Sequence, residues 1–322
     1  MTTRKDLKRR IRARQEKTGE SYTTARVHVL RARENPEHLP AARLTGVVLN
    51  RMTQTIRLRP AGTKDDLVLR TTSLEAHRTA PGQLLECTIN RAWQWRGTAF
   101  ASGSVERAWT DVPALGLEPL PLSDRGVSDL RKTHEPYRSP DPYAEMWEFL
   151  TSAPRRAFEF DGIAWGLGVG VDADDDDDPC LVTEAAEIRP HDPAAAHDLL
   201  MKALVADLRC IDAHAHLGNL AFEYSADEAL VHYDIALGIG ELSLSPDFND
   251  MLPWGHLFNR PFLRALHGRG LCLWRLGRLD AARHAFERLL SLNPADHQGA
   301  RFCWDDVRHG RPWNQAASGS ET

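Results

Sequence analysis

The sequence predicts an α+β protein of several domains: a basic helical hairpin, a small antiparallel β-barrel and a C-terminal α-helical domain. Three observations support this prediction. Apolar and polar residues alternate with period two over residues 45–110, as in half-buried strands. Over residues 192–294 the apolar residues follow helical spacing instead. The charge is also distributed unevenly: residues 1–110 hold 21 Lys and Arg against 10 Asp and Glu, whereas residues 111–322 hold 19 Lys and Arg against 35 Asp and Glu.

Length and composition bound the class of protein. The chain has 322 residues, of which 42% are hydrophobic and 26% charged, enough for two or three domains with cores. It has no apolar run of about 18 residues and no apolar stretch behind its basic N-terminus, so we expect neither a membrane helix nor a signal peptide. Five scattered cysteines without C-x-x-C spacing predict reduced thiols. We therefore expect a cytoplasmic protein without a metal or another cofactor.

The predicted domains follow the changes in pattern along the chain. They are a basic helical arm (1–40), the β-barrel (41–110), a linker or irregular wrap rich in proline and glycine (111–141), the helical domain (142–313) and a disordered tail (314–322).

The basic arm is predicted to contain two helices separated at Gly19, with Ser21 as the N-cap of the second. Its first 33 residues carry eleven basic side chains against three acidic ones, and only Leu7 and Ile11 give the first helix an apolar stripe. Two interpretations remain open: a solvated arm, and an arm that contacts nucleic-acid phosphates. In the second, the candidate contacts are Lys8, Arg9, Arg10, Arg12 and Arg14.

Alternating segments between turn signals predict the five strands of the barrel. The segments are residues 45–52, 55–60, 66–73, 83–95 and 98–109. Residues 73–80, between the third and fourth segments, favour a short helix. This order of three strands, a helix and two strands resembles the oligonucleotide-binding fold. The resemblance implies that the barrel binds oligonucleotides.

Arg91, Trp93 and Trp95 are the barrel residues that the sequence singles out for function. Alternate residues of a strand share a face, so the two indoles and the guanidinium would form one surface. Single-stranded nucleic acid stacks its bases on such aromatic surfaces. In the competing interpretation both tryptophans close the barrel core.

Small and aromatic residues recur at fixed spacing near the C-terminus. Gly270 precedes Ala282 by twelve residues, Phe286 and Pro294 follow Ala282 by four and by twelve, and Gly277 lies at the turn. This spacing resembles the tetratricopeptide repeat, in which small residues let two antiparallel helices approach closely.

An upstream segment repeats part of this pattern, so the resemblance covers roughly residues 192–294. Gly218, Ala229 and Tyr233 take the corresponding positions, but Ala229 and Ala282 are 53 residues apart, against a family period of about 34. The insertion is apolar, which predicts either a packed cap or part of a binding surface.

The resemblance implies a protein partner held in the groove between the helical hairpins. The candidate groove residues are His214, Asn219, Trp254, Asn259 and Arg260.

Residues 211–217, IDAHAHL, also resemble the D-x-H-x-H metal-binding signature of amidohydrolases. This resemblance implies a metal-dependent hydrolase acting through His214 and His216. Helical residues two apart lie about 200° apart around the axis and cannot share a metal, which argues against it. Residues 155–190 favour no single secondary structure.

We therefore predict a non-enzymatic adaptor that does not bind membranes. In the first hypothesis the basic half binds nucleic acid, RNA or DNA, and the helical half binds a protein partner. In the second, the protein is purely a protein-interaction module without nucleic acid, whose oppositely charged halves attract each other.

Overall fold

The structure, a computed structural model, describes residues 3–19, 21–26, 42–52, 54–166 and 180–313. They form two compact units. The first unit lies within residues 1–46, 51–77 and 85–108, and the second within residues 47–50, 78–84 and 109–322. The predicted tail, 314–322, lies outside the described residues. No helix of the described ranges has both the length and the apolar character needed to cross a membrane.

The N-terminal arm begins with helix α1 (Thr3–Thr18) and turns at Gly19. Gly19 has φ +68°, in the left-handed region that favours glycine. Ser21 Oγ then accepts the backbone N–H of Thr24 at 3.2 Å, and residues 22–26 are helical. Ile11 and Ala25 bury each other. The predicted helix break and N-cap are confirmed.

Five strands form a closed barrel in the order β1-β2-β3-β5-β4. Their bounds are β1 (Ala42–Met52), β2 (Thr55–Pro60), β3 (Leu67–Arg70), β4 (Leu84–Trp95) and β5 (Thr98–Trp109). β2 and β3 pair antiparallel, and β3 and β5 pair parallel. A turn of 3₁₀ helix, Glu75–Arg78, lies between β3 and β4 where the sequence predicts a short helix.

The period-two pattern places one face of each strand inside the barrel. Ile56, Leu58, Leu69 and Leu85 are fully buried there. A Cβ atom added at Gly103 of β5 would lie 2.0 Å from the Thr88 carbonyl oxygen. No side chain fits at that position, because the two strands approach too closely.

The second unit contains a short sheet that the sequence did not predict. Strand β6 (Leu122–Ser128) pairs antiparallel with β7 (Arg155–Phe160), and the short helices α2 (Leu130–Thr133) and α3 (Ala144–Leu150) lie between them along the chain. Val112 and Leu120 are buried in the core of this unit. The segment 111–141, predicted as a linker or irregular wrap, therefore contains a paired strand and contributes to a core.

Seven further helices complete the described part of the second unit. They are α4 (Leu181–Ile188), α5 (Pro193–Ala206), α6 (Ile211–Phe222), α7 (Ala226–Glu241), α8 (Arg260–Arg275), α9 (Leu279–Leu292) and α10 (Ala300–Arg308). Successive helices from α6 to α10 pack against one another. Residues 167–179 of the ambiguous stretch lie outside the described residues.

Glycines set the distance between these helices. A Cβ atom at Gly218 or at Gly268 would lie 2.6 Å or 2.3 Å from the ring of Tyr233, and one at Gly270 would lie 2.6 Å from the ring of Phe286. Each ring fills the space that a side chain would need. The close helix approach predicted from the spacing is therefore confirmed.

The insertion between the two hairpins is packed rather than loose. Leu244, Phe248 and Leu252 are buried, and Met251 forms a parallel bridge with Ala157 of β7. Of the two predicted alternatives, the structure supports a packed cap for this part of the insertion.

Candidate nucleic-acid interface and repeat groove

Three aromatic side chains cluster at the β4–β5 hairpin. The rings of Trp93 and Phe100 stack with centroids 5.7 Å apart and planes 11° apart, and Trp95 meets Phe100 edge-on at 6.4 Å. The hairpin turns at Arg96 and Gly97, both with positive φ. Trp93, Trp95 and Phe100 are called the aromatic cluster below.

The aromatic cluster lies outside the barrel interior. Trp95 is 56% exposed, and Trp93 and Phe100 are half-buried. The interpretation that both tryptophans close the barrel core is therefore wrong for Trp95. Flat rings with partial exposure are what nucleic-acid bases stack upon.

Two guanidinium groups flank the aromatic cluster. Arg70 Cζ lies 5.7 Å from the centroids of both Trp93 and Phe100, and Arg96 Cζ lies 4.6 Å from the centroid of Trp95. These distances are within the range of cation–π attraction. The cluster thus combines aromatic faces with positive charge.

Four other arginines of the barrel are paired with carboxylates. Asp66 and Glu86 each bind two guanidinium groups, with distances between 2.6 and 3.4 Å. The paired residues are Arg43, Arg57, Arg59 and Arg107. Their charges are partly compensated within the barrel.

Arg70, Arg91 and Arg96 differ from these residues. Within the described part of the barrel, none of the three has an ion pair. No carboxylate of that part of the chain compensates their charges. The structure does not bring half-buried Arg91 to the rings, and it adds Arg70 and Phe100 to the predicted set. Phe100 and Arg70 lie opposite Val68 and Ser102 in the β3–β5 register, which the sequence does not reveal.

The predicted phosphate contacts of the arm lie on α1. Lys8, Arg9 and Arg12 are exposed, Arg14 is half-buried, and the side chain of Arg10 lies outside the described part of the chain. The same helix carries Ile11, which packs with Ala25. Whether the basic residues contact nucleic acid remains a prediction.

Two of the predicted groove residues are internal. His214 is fully buried, with Nε2 3.1 Å from the Leu208 carbonyl oxygen. Asn259 is also fully buried, and its Nδ2 donates to the carbonyl oxygen of Phe158 at 2.8 Å while its Oδ1 accepts the N–H of Phe160. The expectation that His214 and Asn259 line an accessible groove is therefore corrected.

The other three predicted groove residues keep partial exposure. Asn219 accepts the hydroxyl of Tyr233 at 2.7 Å, and Arg260 donates to the Trp254 carbonyl oxygen at 3.1 Å while its Cζ lies 5.3 Å from the Trp254 ring. Asn219, Trp254 and Arg260 remain predictions for partner contact.

A buried charge network joins α6 and α8. Arg264 Nη1 donates to Asp212 Oδ1 at 2.8 Å and lies 3.0 Å from His216 Nε2, and the guanidinium stands 5.0 Å from the Trp165 ring. Burial raises the pKa of Asp212 to about 7, although Arg264 opposes this shift. Spacing does not indicate this network, because Asp212 and Arg264 are 52 residues apart.

The hairpin of α8 and α9 has the geometry on which the repeat assignment depends: Gly270 packs under Phe286, and Gly277 turns the chain with φ +74°. Residues 263–296 match the tetratricopeptide repeat. No curated protein and no solved structure matches the chain. The tetratricopeptide repeat covers most of α8 and all of α9. Such repeats generally act as non-catalytic modules that bind proteins.

The upstream histidines do not converge as a metal site requires. His214 contacts the Leu208 carbonyl oxygen, whereas His216 faces Arg264 and Asp212. In the described ranges, no group of three or more His, Cys, Asp or Glu residues is placed to hold a metal ion. Burial lowers the pKa of both histidines to about 4.

We expect acid to destabilise the helices around the tetratricopeptide repeat partly through His214. Burial lowers the pKa of His214 from 6.5 to about 4. Since the pKa of His214 is lower in the folded protein than in the unfolded chain, neutral His214 contributes fully to the free energy of unfolding above pH 6.5. This contribution is lost as the pH falls toward 4. Between pH 7.5 and pH 5 the loss is about 2 kcal/mol.

His214→Gln is expected to remove that part of the pH dependence, measured by urea unfolding followed through helical circular dichroism. Exposed His309→Gln is the matched control. Asp212 acts in the opposite direction, because its raised pKa gives stability that is lost as the pH rises through about 7. The pH dependence of His214→Gln is therefore compared with that of His309→Gln and of the unmodified protein, because all three retain Asp212. A pH dependence of His214→Gln equal to that of the unmodified protein would contradict the assignment.

Proposed function

We propose that this protein is a non-enzymatic adaptor whose barrel binds single-stranded nucleic acid and whose repeat region binds a protein partner. The observation that carries the nucleic-acid part is the aromatic cluster, exposed beside arginines that have no carboxylate partner in the described barrel. Each base stacked on an aromatic side chain contributes roughly 1–3 kcal/mol. Phosphates would meet Arg70, Arg91 and Arg96.

The strand order supports an oligonucleotide-binding type of barrel. The order β1-β2-β3-β5-β4 and the helical turn between β3 and β4 agree with the resemblance that the sequence suggests. That fold uses the loop between its fourth and fifth strands in binding, and the aromatic cluster lies at the β4–β5 hairpin.

The tetratricopeptide repeat supports the protein-binding part. The alternative is purely a protein-interaction module in which the acidic and basic halves neutralise each other. That alternative predicts no binding of oligonucleotides at low salt, so one measurement separates the two.

The test is fluorescence anisotropy with a labelled single-stranded DNA, the RNA of the same sequence and the corresponding DNA duplex. We expect a single strand to bind more tightly than the duplex and binding to weaken as salt rises, because phosphate contacts release counterions. The DNA and RNA arms identify the preferred strand. Absence of binding at low salt would favour the purely protein-binding module.

Deleting residues 1–33 tests the basic arm separately. If Lys8, Arg9 and Arg12 contact phosphates, the truncated protein is expected to lose most of the salt dependence of oligonucleotide binding, since the slope scales with the number of phosphates neutralised. Circular dichroism checks that the remaining fold is intact. A salt slope equal to that of the full chain would show that the arm does not contact phosphates.

A further inference from the structure

The second unit contains a cavity that the proposed function does not use. Its volume is about 560 Å³, within the range of small-molecule sites. Val127, Ala157 and Met251 come from the β6–β7 sheet and its bridging segment. Leu130, Pro253 and Pro294 add further apolar surface. These residues suit the apolar body of a small molecule.

The ionisable residues of the cavity are mostly basic. They are Arg125, Lys132, His134, His256 and His297, with Asp129 as an acid, while Ser128, Thr133 and Asn293 add uncharged polar groups to the lining. This set stands out because residues 111–322 together hold 19 Lys and Arg against 35 Asp and Glu. A local excess of basic groups on an acidic half marks a place where an anion would be attracted.

Neighbouring acids are already engaged. Asp129 pairs with Lys132 at 3.0 Å, and the buried carboxylate of Glu159 binds Arg125 at 2.5 Å and lies 3.7 Å from His256. Both of these acids therefore already have basic partners, Asp129 in Lys132 and Glu159 in Arg125 and His256.

His134 and His297 are the basic groups left over. Their rings meet edge-on at 5.9 Å, and among the described residues neither forms an ion pair. Asp296 acts on His297 electrostatically, but it is held by Arg301 at 2.8 Å and by the N–H of Ala300 at 2.7 Å. His134 Nδ1 contacts Thr133 Oγ1, which leaves Nε2 available to a ligand.

We propose that this cavity binds a small molecule with an apolar body and one anionic group, a carboxylate or a phosphate. The body would lie against Val127, Ala157 and Met251, and the anion would lie beside the pair formed by His134 and His297. No residue of the cavity belongs to the aromatic cluster of the barrel. The test of this proposal is therefore independent of the test of nucleic-acid binding.

The proposal also predicts a pH dependence. Burial and the neighbouring His134 lower the pKa of His297, and a bound anion would favour the protonated form of the His297 ring. Binding is therefore expected to be several-fold tighter at pH 6 than at pH 8. The other charged groups around the two rings are Arg125, Asp129, Lys132, Glu159, His256, Arg260 and Asp296.

The probe is anilinonaphthalene sulfonate, an aromatic anion whose fluorescence rises in apolar surroundings. We expect saturable binding that naphthoate or naphthyl phosphate displaces and that the naphthylmethylammonium cation does not. The two anions distinguish a carboxylate site from a phosphate site. Val127→Asp, at an exposed position of the cavity lining, is expected to repel the anionic probe and weaken binding at least about tenfold.

Two further variants keep the test specific. His134→Gln combined with His297→Gln is expected to flatten the pH dependence, whereas His284→Gln combined with His309→Gln, at exposed positions, serves as the matched control. Trp95→Ala checks that the probe does not report the barrel. Thermal melting confirms that each variant folds. No saturable binding, binding unaffected by Val127→Asp, or equal displacement by the cation would overturn the proposal.

Discussion

Ala282→Trp is expected to lower the melting temperature of the helical unit by roughly 5–10 °C, because it overpacks the contact between α8 and α9 by about 3 kcal/mol. Ala282 is fully buried, and the neighbouring Gly270 already leaves no room for a Cβ atom beside Phe286. An indole can enter only if the two helices move apart. Helical circular dichroism during heating measures the loss.

The matched control is His284→Trp on the same helix. The side chain of His284 is 67% exposed, so an indole there extends into solvent. We expect its melting temperature to stay within about 2 °C of the unmodified protein, since exposed substitutions usually change stability by less than about 0.5 kcal/mol. Equal melting of both variants would contradict the close packing of α8 and α9.

Trp93→Ala combined with Trp95→Ala is expected to weaken binding of a single-stranded oligonucleotide by roughly 30-fold or more. Two stacked bases would each lose roughly 1–3 kcal/mol. Their stacking surfaces lie outside the barrel interior, so the fold should persist. Fluorescence anisotropy at constant salt measures the change, because phosphate contacts vary with ionic strength.

Tyr224→Ala provides the control for this pair. Tyr224 is 81% exposed and belongs to the second unit, so the variant removes an aromatic surface and leaves every barrel residue unchanged. Its affinity for the oligonucleotide is expected to match that of the unmodified protein. If the double tryptophan variant also binds normally, stacking on the aromatic cluster is excluded and any binding must come from the charges alone.

Local patterns predicted the elements well where neighbouring residues decide the structure. Period-two alternation identified the five barrel strands, Gly19 and Ser21 identified the helix break in the arm, and the spacing of Gly270 and Phe286 identified the α8–α9 hairpin. In each case a short run of residues contains the signal. The strand β6 was missed because proline and glycine surround it, and its partner β7 begins at Arg155, far along the chain.

The candidate sites were predictable only in part. Trp93 and Trp95 share a strand face, which spacing reveals, whereas Arg70 and Phe100 join them through the register of β3 with β5. The sequence around His214 is the same whether its side chain faces a groove or lies in a core. The structure places this side chain in the interior. Burial depends on all the elements packed around a residue, so no local pattern determines it.

By itself, the sequence determined the strands of the barrel, the helical character of the C-terminal part, the uneven charge distribution of the chain and the tetratricopeptide repeat at residues 263–296. These properties depend on residue type and on short-range spacing. The tertiary structure alone decided which arginines remain unpaired beside the aromatic cluster, how Arg264 reaches Asp212, and that His134 and His297 meet at one cavity. The physical reason is that each of these depends on contacts between residues far apart in the chain, whose distances are set only when the elements pack.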